Sequence, residues 1–154
     1  MRLIDYTSEN ALLPRQECRD LEETVSRLVG TLVADEAVTE PERLIAEIMR
    51  REVEGSTVLG GGLAIPHARF ETVRQLRLAM ATLTRTVAGT GTEDNPVDVV
   101  ILIVGPRGDP RQMLRLLARL ARLVKKPGFL ERLRGAESTA EMRRVLAEAE
   151  TAED

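Results

Sequence analysis

The chain has 154 residues, 43% hydrophobic and 31% charged, with a formal net charge of -3; that length buries the core of one domain, and that balance belongs to a folded globular protein rather than a disordered one. Only Tyr6, Phe70 and Phe129 are aromatic, which excludes a surface that stacks single-stranded nucleic acid on rings. No apolar run reaches the roughly 18 residues of a membrane span, no basic segment precedes an apolar one near Met1, and Cys18 is the only cysteine, so a cytoplasmic protein without a membrane span or internal disulfide is expected.

In chain order, Leu21, Val25, Leu28, Val29 and Leu32 repeat at helical spacing and predict a helix over 20–34. Thr39 reads as the N-cap of a second helix that starts at Pro41, carries Leu44, Ile45, Ile48 and Met49, and ends at Gly55. Residues 55–62, GSTVLGGG, hold four glycines and read as a loop. Alternation from Leu76 to Thr84 predicts one buried strand, and VDVVILIV over 97–104 a second.

From Pro110 the helical period returns with Met113, Leu114, Leu116, Leu117, Leu120, Leu123 and Val124, until Pro127 and Gly128 break it. Shorter helices are predicted over 129–134 and 138–149, the latter with Ser138 and Glu141 as a capping box, and a frayed tail over about 150–154. Helices flanking two or three strands make an α/β layered sandwich, read as a single domain over 1–154.

Among candidate chemical groups, His67 comes first because it is the only histidine and follows the glycines within GGGLAIPH. A neutral imidazole near pH 7 can attack phosphorus, and amides of a glycine loop around Gly60 and Gly62 can face phosphoryl oxygens. On spacing alone a lone histidine in a loop is more often a surface or capping residue than a catalyst. One histidine and one cysteine, 49 positions apart, supply no metal site, and Gly61 and Gly62 stand where a phosphate loop needs its lysine and hydroxyl, so neither a metal nor a nucleotide cofactor is expected. Between 107 and 134 nine arginines and lysines face two acids; Arg111, Arg115 and Arg119 would form a stripe that is either a solvated face or an attractor of an acidic or phosphorylated partner. An isoelectric point of 5.4 and the lack of a DNA-reading motif argue against nucleic acid.

The string Arg51-Glu52, Gly55-Ser56-Thr57, Gly60 and Gly62-Leu63-Ala64-Ile65-Pro66-His67 resembles the fructose/mannitol-type enzyme IIA domains of the bacterial phosphotransferase system, whose pattern reads R-E-x-x-G-S-T-G-I-G-x-G-I-A-I-P-H. Asn95-Pro96-Val97-Asp98 and the leucine-rich helix follow in the family's order, so the resemblance runs from about residue 3 to residue 148. It implies an α/β sandwich with a mixed central sheet between helices, and a phosphocarrier without a cofactor. His67 would accept a phosphoryl group from an HPr-type phosphocarrier. Arg51 would offset its charge, Ser56 and Thr57 would shape the loop, and Arg69 joins them on its proximity to His67 in sequence. Free-standing members resemble the nitrogen-regulatory branch, which implies signalling to regulatory targets such as transporters or kinases. The alternatives are a sugar-specific component feeding a IIB subunit, or a pseudo-phosphocarrier that only binds partners.

Two positions depart from the pattern. Val58 replaces a glycine, which predicts a stiffer loop. The family's second active-site histidine has no counterpart; Met113 or Arg115 falls in its region, and Arg115 is the candidate substitute as a permanently cationic phosphate ligand.

Overall fold

In the computed structural model, which describes residues 1–90 and 95–153, the chain builds one mixed sheet between two helical layers. Strand β1 (Leu12–Gln16) follows two short 3-10 turns and leads into α1 (Leu21–Ala34) and α2 (Pro41–Glu54). Strands β2 (Val58–Gly60), β3 (Leu63–Ala64) and β4 (His67–Phe70) come next, then the long strands β5 (Arg77–Ala88) and β6 (Pro96–Pro106). Helices α3 (Arg111–Val124), α4 (Phe129–Gly135) and α5 (Thr139–Glu153) complete the order. The expected α/β sandwich is present, with six strands instead of two or three.

The sheet runs β1-β5-β6-β3-β2, and β4 pairs with β6 farther along the same edge as β3. Strands β5 and β6 are antiparallel, whereas β3 and β4 both lie parallel to β6. The period-2 pattern of β6 explains its central place, because both of its faces are buried. Val97, Val100, Leu102 and Val104 pack with Leu21, Val25, Leu28, Leu44 and Ile48 of α1 and α2. Val99, Ile101 and Ile103 pack with Met113, Leu116, Leu120, Leu133, Met142 and Leu146 of the last three helices. Among the described residues no helix is long and apolar enough to cross a membrane.

Helix boundaries follow the predicted caps in part. Asp20 accepts a hydrogen bond from the Glu23 amide at 2.8 Å and starts α1. Thr39 does not cap α2: its amide and hydroxyl both reach the Thr72 carbonyl, and Glu40, at φ 49°, makes the turn into Pro41. Ser138 accepts from the Glu141 amide at 3.1 Å, but the Glu141 carboxylate turns to the Glu137 amide, so the capping box is only half formed. Helix α5 continues past 149 because Glu150 is drawn inward: its carboxylate accepts from the Leu3 amide at 2.6 Å, the Ile4 amide at 3.1 Å and Arg119 Nε at 2.9 Å. Those three donors satisfy a carboxylate that the apolar period of the helix buries.

Candidate functional site

His67 opens β4, paired across from Ile103 of β6. Pro66 immediately before it cannot donate to the ladder, and its carbonyl accepts the Ile103 amide at 3.1 Å, so the edge pairing survives the proline. The Nδ1 atom lies 2.9 Å from the Ile65 carbonyl oxygen. A carbonyl only accepts, so in the neutral ring Nδ1 holds the hydrogen and Nε2 carries the available lone pair.

Two adjoining cavities meet at this half-buried ring. The first, of about 170 Å³, is lined by Arg51, His67, Arg69 and Pro110 together with Met113, Leu114 and Leu117 of α3. The second, of about 310 Å³, is lined by Arg51, Glu52, Glu54, Gly55, Thr57 and His67. Arg51 borders both. Its Nε donates to Glu47 at 3.1 Å, which fixes the base of the guanidinium and leaves the two terminal amino groups without a hydrogen bond among the described residues. Arg69 is held by a bond from Nη1 to the Gly108 carbonyl at 2.6 Å. The arrangement offers a nucleophilic nitrogen flanked by two cations, the requirement for receiving an anionic group.

Of the residues singled out in the sequence, Arg51, Thr57 and Arg69 are brought to His67, and Ser56 lies next to them with its hydroxyl accepting the Val58 amide at 3.2 Å. Gly60 and Gly62 are placed elsewhere. They form the β2–β3 hairpin with φ of 88° and 84°, and the Gly62 carbonyl accepts the Asp98 and Val99 amides at the opposite end of β6. From Asp98 to Ile103 is about 16 Å along a strand, so those glycine amides do not face the imidazole. A Cβ on Gly62 would come within 2.4 Å of Asp98 Oδ1 and 2.7 Å of Arg134 Nη2, and Arg134 also donates to the Gly61 carbonyl. The hairpin is a folding element. Val58 fits it as a strand residue opposite Ala64, so no positive φ is demanded there.

Arg115 is absent from the lining of both cavities. The α3 wall opposite the imidazole is Met113, Leu114 and Leu117, with Leu114 61% exposed. One residue is about 100° of helix rotation, which carries Arg115 off the His67 face. Arg119 leaves the expected stripe altogether, because its ion pair with Glu150 holds it at 13% side-chain exposure.

Glu52 was not among the residues expected here. It is 2% exposed and accepts from the Thr57 amide at 3.2 Å, from the Thr57 hydroxyl, and from the Thr90 hydroxyl at 3.0 Å. The tie stitches residues 55–57 to α2 beside His67. Its signal was available: Leu44, Ile48 and Glu52 share the buried face of α2, and an acid at an apolar position of a helix needs donors.

The sequence model of a family described as phosphoenolpyruvate-dependent sugar phosphotransferase system, EIIA 2, matches residues 5–149. A nitrogen regulatory protein of Bradyrhizobium diazoefficiens is 29% identical over 148 residues, which is 96% of this chain and 95% of that relative. A 2-O-alpha-mannosyl-D-glycerate-specific EIIABC component of Escherichia coli is 34% identical over 108 residues, 69% of this chain and 16% of that protein. The crystal structure of the nitrogen regulatory protein IIA-Ntr from Neisseria meningitidis superposes with a TM-score of 0.83 at 23% identity, over 93% of this chain and 97% of that one. The enzyme IIA for mannitol from Escherichia coli, solved in complex with its phosphorylated IIB, superposes at 0.76 with 22% identity, over 92% and 96%. At those identities the superpositions show a shared fold.

Proposed function

Because the chain belongs to the EIIA 2 family of the phosphoenolpyruvate-dependent sugar phosphotransferase system, we propose that it is a regulatory phosphocarrier whose His67 receives a phosphoryl group from an HPr-type phosphohistidine donor. The observation that carries this reading is the 2.9 Å contact of Nδ1 with the Ile65 carbonyl, which leaves the Nε2 lone pair available on a ring that lines both cavities, with Arg51 bordering both and Arg69 the first. In the step, the Nε2 lone pair attacks phosphorus in line. The bond from phosphorus to the donor's imidazole breaks, its electron pair returns to that ring, and a nitrogen–phosphorus bond forms on His67. Nδ1–H stays donated to Ile65 throughout. Arg51 and Arg69 offset the charge on the three equatorial oxygens, and Thr57, fixed by Glu52, shapes the side of the cavity where they sit.

Regulation is favoured over sugar uptake because the match to the nitrogen regulatory protein runs over 95% of that relative. The second reading, a IIA component that feeds a IIB subunit, draws on the mannitol protein solved with phosphorylated IIB. The apolar wall of Met113, Leu114 and Leu117, without a second imidazole, supports a slow carrier or a partner-binding signal more than a rapid relay.

Incubation with enzyme I, an HPr-type carrier and phosphoenolpyruvate is expected to add the mass of one acid-labile phosphoryl group, and His67→Ala to abolish it. An adduct that survives His67→Ala, or none with a cognate carrier, rejects the mechanism.

A further inference from the structure

Glu52 shares the buried face of α2 with Leu44 and Ile48, yet its carboxylate is connected to the His67 ring by an unbroken run of hydrogen bonds. The Thr57 amide donates to Glu52 Oε2 at 3.2 Å, and the Thr57 hydroxyl donates to Oε1. The Thr57 carbonyl accepts the Ile65 amide at 3.2 Å, a bond one step beyond the Val58–Ala64 pair of the β2–β3 hairpin. The Ile65 carbonyl in turn lies 2.9 Å from Nδ1 of His67 and accepts its hydrogen. Between these last two links the backbone has little freedom, because Pro66 fixes its own φ and restricts Ile65 to extended conformations. The Pro66 carbonyl is tied in addition to the Ile103 amide at 3.1 Å. The direction of the Ile65 carbonyl therefore follows how its amide is anchored at Thr57, and that anchor follows Glu52. The third donor to Glu52, the Thr90 hydroxyl at 3.0 Å, lies outside this run.

We propose that Glu52 is a positioning residue for the transfer: through Thr57 and Ile65 it keeps the Nδ1 hydrogen of His67 in place, and so leaves Nε2 as the nucleophile. For its effect on rate the proposal rests on the phosphoryl-acceptor reading of His67, and for its effect on the ring it rests on the hydrogen bonds alone. A hydrogen bond at one imidazole nitrogen decides which of the two carries the hydrogen, and the groups behind that partner orient it in turn. A carboxylate suits the far end of the run because a bond to a charged acceptor is about twice as strong as one between neutral groups. At 2% exposure Glu52 offers an incoming carrier no surface, so its influence passes through Thr57 and Ile65. Ile65 is itself 6% exposed and packed in the core; if that packing alone held its carbonyl, the ring would be indifferent to Glu52.

The imidazole nitrogen resonances of His67, recorded at about pH 9 where imidazoles are neutral, read the ratio of the two tautomers in folded protein without any phosphoryl donor. The wild-type chain is expected to hold the hydrogen on Nδ1. Glu52→Gln keeps the shape but offers one oxygen in place of two and no charge, and should move the ratio about fivefold toward hydrogen on Nε2. Thr57→Val removes the hydroxyl bond and leaves the amide, and should move it about threefold in the same direction. Thr90→Val removes a bond to the same carboxylate outside the run, and should leave the ratio unchanged although it destabilises the fold. With an HPr-type carrier kept phosphorylated, Glu52→Gln should lower the maximal rate of His67 labelling about tenfold. The carrier concentration that gives half of that rate should change less than about twofold. An unmoved ratio in folded Glu52→Gln, or in Thr57→Val where Glu52→Gln does not fold, overturns the proposal and leaves the packing of Ile65 to hold the ring. An equal shift in Thr90→Val overturns it as well, as does hydrogen on Nε2 in the wild type. A wild-type rate in Glu52→Gln whose ratio has moved overturns the share of Glu52 in transfer. If neither the carrier nor phosphoramidate labels wild-type His67, the acceptor reading fails, and the tautomer ratio alone judges the part of Glu52.

Discussion

Residues 60–67 run from a glycine hairpin at the Asp98 end of β6 to an imidazole at its Ile103 end, and the two ends obey different physics. At the first, three consecutive positive-φ glycines bend under the Asp98–Arg134 ion pair, and every polar contact closes on the protein itself. At the second, His67 is held through Nδ1 and Arg51 through Nε, and both side chains line the two cavities with their remaining nitrogens outside those bonds. A contiguous string of family-typical residues thus divides into a part that specifies the sheet edge and a part that presents chemistry. The contrast teaches that closeness in sequence to a nucleophile is a poor guide to a share in its reaction.

Substitutions sharpen the contrast when they separate stability from transfer. Gly62→Ala should have the largest effect, a loss of about 3 kcal/mol in urea unfolding from backbone strain plus displacement of the Asp98 carboxylate. The folded fraction should still be phosphorylated normally; a lost acceptor activity in folded protein would join the two ends after all. Arg51→Met should show the reverse pattern, slowing phosphorylation of His67 about 100-fold. Its stability should change by only about 0.5 kcal/mol, since the pair with Glu47 is one helical turn long and Arg51 is 47% exposed. Gly60→Ala meets open space at a φ of 88°, so strain alone should cost about 1 kcal/mol, and a loss as large as that at Gly62 would contradict the clash argument.

The smallest effect concerns pH. Hydrogen bonding, first to Arg50 and then to Arg51, holds the Glu47 carboxyl below its ordinary range. A depressed value means that the tether is present above the unfolded pKa and is lost only as pH falls through the folded one. The Arg51 Nε resonance should therefore hold steady from about pH 8 to about pH 5. Movement within that window would show that Arg51 is oriented by something else.

The helices and the two long strands were legible because burial writes itself as period: 3.6 in α1, α2 and α3, and 2 in β5 and β6. The short strands were not. β1 contains Pro14 and lies at the sheet edge, while β2, β3 and β4 have two to four residues each; β3 and β4 take their pairing from β6, 36 positions away in sequence, and β2 is held only through β3. His67, Arg51 and Thr57 could be picked out because an unusual residue type or a recognisable string marked them. The placement of Leu114 rather than Arg115 opposite the ring depends on the rotational phase of α3, which one residue alters by a full side. Arg119 could not be separated from its neighbours until Glu150 was seen to reach it from α5.

The tie at Glu52 bears on how this chain can change over generations. A lone replacement of Thr57 takes two of the carboxylate's three hydrogen bonds with it or weakens them, and a lone replacement of Glu52 strands two threonines against the same buried spot. Each single step descends before a second one recovers. Positions 52, 57 and 90 should therefore be inherited as a set, so that a relative that has lost one of them is expected to carry a compensating exchange at another, which an alignment of relatives would check.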